Sequence, residues 1–145
     1  MRVLTIGFTK KSARQFFEAI GRAGAIRLVD VRLNNSSQLA GFTRRDDLEY
    51  FLDAILGIGY VHEPQLAPTP ELLAGVQKER RPWSWYEEEF LRLMRERRIE
   101  ERVPRELIDG AVLLCSEATP DQCHRRLVAE YLADRWGGME IVHLQ

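Results

Sequence analysis

The stretch "IRLVDVR", Ile26–Arg32, is the strongest single constraint on the fold of this chain. Its nearly unbroken apolar run lacks the alternation of a half-exposed strand and suits one covered on both faces. "GAVLLC", ending at Cys115, has the same character, and shorter runs stand at "VLTIG" (Val3–Gly7), Tyr60–His62 and the C-terminal "EIVHL". Helical spacing fills the intervals. Ser12 caps a helix that places Ala13, Phe16, Phe17 and Ile20 on one face and stops near Gly24. Leu48, Phe51, Leu52, Ile55 and Leu56 share the face of a second helix, closed by Gly57 or Gly59. Thr69 before Pro70 starts a third, and Ser84 with Glu87 forms a capping box for a fourth that turns Phe90, Leu93 and Met94 inward. "TPDQ", Thr119–Gln122, predicts a last helix running from Pro120 to "WGG". Covered strands separated by helices pair in parallel through right-handed crossovers. The expected fold is therefore α/β: a three-layer, Rossmann-like sandwich around a mainly parallel sheet of about five strands, in a single domain over residues 1–145.

Composition narrows function only by exclusion. Twenty-one basic against 22 acidic side chains leave a formal net charge of −1, so no global field pulls the chain towards nucleic acid or an anionic membrane. No segment approaches ~20 apolar residues and "MRVLTIG" lacks a signal-peptide core, so a cytoplasmic location and no membrane partner are expected. The arginines of "RERRIEER" alternate with glutamates, as on a solvated, salt-bridged helix face. Trp83 and Trp85 in "RRPWSWYEEEF" read as exposed, either anchoring a connecting segment or stacking on a partner or nucleic acid. Two cysteines make no disulfide framework.

Parallel sheets bind ligands beyond the carboxyl ends of their strands. The first strand ends with Gly7, Thr9 and Lys10; the second with Asp30 and Arg32; the third with His62 and Glu63; the fourth with Cys115, Ser116 and Glu117; the last with His143. A helix starting at Pro120 turns Cys123 and His124 inward with Leu127, Val128, Tyr131 and Leu132, sets Arg125 at the flank and leaves Arg126 towards solvent. The free N–H groups of that helix favour an anion or a thiolate. Cys115, His124, Asp30 and Glu117 are accordingly the candidate catalytic residues, and Arg32, Arg125, Cys123, Thr9 and His62 the candidate ligand-binding ones. Asp30 has a structural alternative as partner of Arg32, and both cysteines have one as small buried hydrophobes. Cys115, Cys123, His124 and His62 have ligand types that suit zinc, yet C-x7-C-H matches no standard finger. No metal or other cofactor is assigned, with zinc or a reversible Cys115–Cys123 disulfide kept as alternatives.

"TIG", "LVDVR", "GIGYVHEPQLAP" and "LLCSEATPDQCHRRLVAEYL" resemble, over essentially the whole chain, the bacterial and archaeal family catalogued as domain of unknown function 488. Its C-x-E-x-x-P-x-x-C-H-R pattern falls here on Cys115, Glu117, Pro120, Cys123, His124 and Arg125, and Asp30 and Arg32 also match. Where the family usually has His-Ser after "TIG", this chain has Phe8 and Thr9. The resemblance implies no activity. A strand with Asp-Val-Arg and a later strand ending in Cys are similar to rhodanese-like sulfurtransferases, but "CSEATPDQ" has no glycine and contains a proline, which makes a poor anion cradle. The expected function is an enzyme acting on an anionic small molecule or nucleotide, or a nucleic-acid end. The alternatives are a non-catalytic ligand- or nucleic-acid-binding module, and sulfur transfer or a thiol/zinc site.

Overall fold

A computed structural model describes residues 1–36, 41–117 and 120–145. Five strands, β1 (Arg2–Gly7), β2 (Arg27–Asp30), β3 (Gly59–His62), β4 (Ala111–Cys115) and β5 (Glu140–His143), form one all-parallel sheet in the order β3-β2-β4-β1-β5. The helices are α1 (Ala13–Ala23), α2 (Arg45–Phe51), α3 (Pro70–Gln77), α4 (Trp83–Arg97), α5 (Ile99–Arg102), α6 (Arg105–Ile108) and α7 (His124–Trp136). The α/β sandwich expected from the sequence is the fold found.

Side chains alternate across a strand, so each strand feeds two cores. Leu4, Ile6, Leu28, Val112 and Leu114 pack on one face against Phe16, Phe17 and Ile20 of α1 and Leu48 and Leu52. Val3, Val29, Leu113 and Cys115 face the other way, against Phe90 and Met94 of α4 and Leu127, Val128 and Leu132 of α7. The chain therefore leaves β1 and β2 towards one face of the sheet and leaves β4 towards the other. A crevice opens where neighbouring connections diverge, at the carboxyl end of β4.

Caps follow the sequence in part. Ser12 and Gln15 complete the capping box of α1, Gly24 ends that helix with φ 72°, and Thr69 caps α3. Three expectations fail. Leu52–Leu56 continues α2 as a π-helical turn, whose extra residue per turn breaks the 3.6-residue spacing, and Ile55 is 55% exposed. Pro82, not Ser84, is the N-cap of α4, so Ser84 and Glu87 lie within the helix and form no box. The last helix starts at His124, with Cys123 as N-cap, and Pro120 belongs to the preceding turn. Thr119, half of the capping box expected there, lies outside the described residues.

Arg126 is also less free than its helical position suggests. It bridges Glu130 of its own helix at 2.9 Å and Glu87 of α4 at 3.3 Å, clasping together two helices that pack into the same core. Among the described residues no helix is long and apolar enough to cross a membrane.

Candidate functional site

A cavity of about 350 Å³ occupies the crevice. Arg32, Leu33 and Asn34 beyond β2 form one wall, Cys115 and Ser116 at the end of β4 the floor with exposed Glu117 at the rim, and Gln122, Cys123 and His124 a second wall. Trp83 and Tyr86 close it from α4. These two rings stack at 4.7 Å between centroids, and the Phe90 ring stacks on Tyr86 at 5.9 Å. Trp83 is half-buried at the cavity rather than exposed, and Trp85 is half-buried against Gly75.

Cys115 and His124 meet on the cavity floor. The Cys115 Sγ stands 3.3 Å from Nδ1 of His124, and Nε2 of the same ring lies 2.6 Å from the backbone oxygen of Val31. A carbonyl only accepts, so Nε2 carries the proton and Nδ1 presents its lone pair to the thiol. The imidazole titrates below its ordinary range, chiefly because it is buried, and is held neutral. The Cys123 thiol is pushed well up, first by burial and then by Cys115. One ligating atom each from Cys115, Cys123 and His124 lies within 4.8 Å of the others.

Arg125 is not at the flank of α7 but wholly buried. Its Nε donates to Thr5 Oγ1 at 3.2 Å, and its Nη1 reaches the Glu117 carbonyl and, at 3.6 Å, Cys123 Sγ. No ion pair among the described residues includes it. A desolvated guanidinium without a counter-ion is costly, so this side chain calls for negative charge nearby. Arg32 is the opposite case: its Nε and Nη2 clasp both Asp30 oxygens at 2.9 and 2.8 Å, and Nη2 also donates to the Thr43 carbonyl. Three buried side-chain atoms lack a partner among the described residues, namely Arg32 Nη1, Trp83 Nε1 and Arg125 Nη2. All three are donors, and two belong to residues that line the cavity.

The other candidates divide by sheet face. Asp30 pairs in register with Leu114 and His62, one position out of phase with Cys115, and so points into the α1/α2 core. There Tyr60 donates to it at 2.6 Å. His62 binds the Arg32 carbonyl through Nε2 at 3.0 Å and does not line the cavity. Thr9 donates to the Ser116 carbonyl, outside the cavity. His143 meets Thr5 Oγ1 at 2.6 Å, and burial and Arg125 hold its pKa down. Thr5, Val31 and Tyr86 stand out in the sequence as no part of a site, and Trp83 reads there as an anchor or a stacking surface, not as a cavity wall. The helical spacing of Trp83, Tyr86 and Phe90 carries a further signal, that of one apolar stripe.

A family model described as domain of unknown function DUF488 matches residues 12–132. The chain belongs to that family. The match to DUF488 runs from α1 into α7, and so spans Cys115, Cys123, His124 and Arg125. No curated protein and no solved structure matches the chain.

The buried cluster predicts a two-sided pH profile of stability. The folded His124 pKa is lowered from an unfolded value near 6.5, so between the two values the unfolded chain binds the extra proton, and stability falls as pH drops below about 6.5. The folded Cys123 pKa is raised from about 8.5, so the unfolded chain loses its proton first, and stability falls as pH rises above about 8.5. Each limb is limited to about 1.4 kcal/mol per pH unit. Urea unfolding in the presence of a chelator is expected to show a flatter alkaline limb in Cys123→Ser; an unchanged limb would remove Cys123 from this account.

Proposed function

We propose that the cavity is the active site of a cysteine-dependent enzyme acting on a phosphate-bearing small molecule or nucleotide. The observation that carries this reading is the chain Cys115 Sγ–His124–Val31 O, which sets nucleophile, base and orienting group in hydrogen-bond sequence. In the reaction, His124 Nδ1 takes the thiol proton and the Cys115 thiolate bonds to the electrophilic centre of the substrate. The leaving group departs with the proton returned by His124, and water then releases the second product. Arg32 Nη1 and Trp83 Nε1, which have no acceptor among the described residues, supply donors for anionic oxygens, and the N-terminus of α7 adds its partial charge. A volume of about 350 Å³ suits a small ligand better than a nucleic-acid end. In this scheme Asp30 holds Arg32 in place and Glu117 stands at the rim.

Incubation with a panel of nucleotides and phosphate esters, followed by mass spectrometry of the products, tests the proposal. Turnover is expected to vanish in Cys115→Ser and to fall about 10²–10⁴-fold in His124→Ala, with thermal melts confirming that both variants fold. Full turnover in Cys115→Ser would remove the thiol from the chemistry. Saturable binding with no product from any ligand would make the chain a binding module.

A further inference from the structure

We infer that Cys115 Sγ, Cys123 Sγ and His124 Nδ1 together bind one Zn2+ ion, with a fourth coordination position open to the cavity. The three side chains come from two places only, the tip of β4 and the start of α7, and their ligating atoms lie within 4.8 Å of one another. Tetrahedral zinc with Zn–S near 2.3 Å and Zn–N near 2.0–2.1 Å sets sulfur and nitrogen about 3.5 Å apart. Cys115 Sγ and His124 Nδ1 stand at 3.3 Å, so the ion requires a shift of tenths of an ångström there.

The surroundings are those of a metal ligand set. The second nitrogen of His124 is tied to the Val31 carbonyl at 2.6 Å, which fixes the tautomer and aims Nδ1. Arg125 Nη1, at 3.6 Å from Cys123 Sγ, is a ready hydrogen-bond donor to a metal-bound thiolate. Binding releases one proton from each thiol, and the two thiolates cancel the charge of the ion, so the buried site gains no net charge. Two sulfurs and one imidazole select zinc over magnesium or calcium, which take oxygen ligands. Three protein ligands with an open position are the pattern of an exchangeable or catalytic ion rather than a structural one.

The zinc site shares its cavity with the proposed reaction but not its chemistry. A Cys115 sulfur bound to zinc is no longer a free nucleophile, so the metal-loaded chain is the silent form and the metal-free thiol the active one.

Titration of the chelator-treated, full-length chain with Co2+, a spectroscopic stand-in for zinc, tests the site. One Co2+ per chain is expected, with sulfur-to-metal charge-transfer absorption, tetrahedral visible bands and displacement by Zn2+. Cys123→Ser and His124→Ala should each weaken binding by about 100-fold or more. Alkylation of the unmodified chain, followed by mass spectrometry, avoids any folding defect of the variants: one equivalent of Zn2+ should protect both thiols. Absence of the charge-transfer band, or equal alkylation with and without Zn2+, would overturn the site. Turnover that falls as Zn2+ is added supports both readings. Turnover unaffected by Zn2+ refutes the masking alone, and turnover that requires it keeps the site and refutes the thiol nucleophile.

Discussion

Asp30→Ala is expected to destabilise the protein by about 3–5 kcal/mol, the range for removing one partner of a buried ion pair. Asp30 is fully buried and accepts from Arg32 Nε, Arg32 Nη2, the Arg32 backbone N–H and the Tyr60 hydroxyl. Alanine leaves all of these donors facing a void, and among the described residues the guanidinium keeps the Thr43 carbonyl and the Phe8 ring. For a domain of this size the loss corresponds to a fall in Tm of roughly 10–15 °C. The alternative of a catalytic Asp30 predicts a stable but inactive variant, so a thermal melt separates the two. Adding Arg32→Met to Asp30→Leu should restore more than half of the lost stability, because exchanging both charges for apolar groups removes the unpaired cation. Were the single Asp30→Ala change to leave the melting temperature within ~2 °C of the original, the structural assignment of this pair would fail.

The double role first weighed for Asp30 shows where the sequence stops informing. Strand positions, the alternation with helices and the richness of the β4–α7 connection were all legible, because apolar runs and turn residues are local signals. The assignment of residues to faces was not. Cys115 and Asp30 both end strands, but the register pairs Gly7 with Cys115 and Asp30 with Leu114, so Asp30 and Cys115 point to opposite sides of the sheet. That follows from the order β2-β4-β1, which long-range pairing decides and no local pattern encodes. The same order brings the Val31 carbonyl to His124, 93 residues away. His62 and His143 at their strand ends and His124 at the start of α7 therefore separate: His62 serves the Arg32 loop, His143 serves Thr5, and of the three His124 lines the cavity. The helix start failed for a local reason. Pro120 and its neighbours have cap chemistry, yet Pro120, Asp121 and Gln122 lie in a turn and α7 begins at His124. The later start places Cys123 at the helix entrance, beside Cys115, instead of a turn inside it.

Gly7→Ala is the second large effect expected, also about 3–5 kcal/mol, and its sign runs against intuition. Alanine for glycine in a strand ordinarily stabilises by up to about 1 kcal/mol, through the smaller entropy of the unfolded chain. At Gly7 a Cβ would lie 1.5 Å from the Glu117 carbonyl oxygen and 2.7 Å from Arg125 Nη1. The first obstacle is backbone, which cannot swing aside as a side chain would. The segment after β4 must move outward, and it takes with it the hydrogen bond from Arg125 to Glu117. Overpacking accounts for about 1–3 kcal/mol and a lost hydrogen bond to a buried charge for about 1.5–3 more. Gly59 is the control, since it has no positive φ and no atom within 4 Å of an added Cβ; Gly59→Ala should stay within about 0.5 kcal/mol. Urea unfolding gives the energies, and the alkylation rate of Cys115 reads the site directly. A displaced loop opens the cavity floor, so Gly7→Ala should label faster under native conditions, whereas wild-type stability and labelling would show that the loop has room the structure denies it.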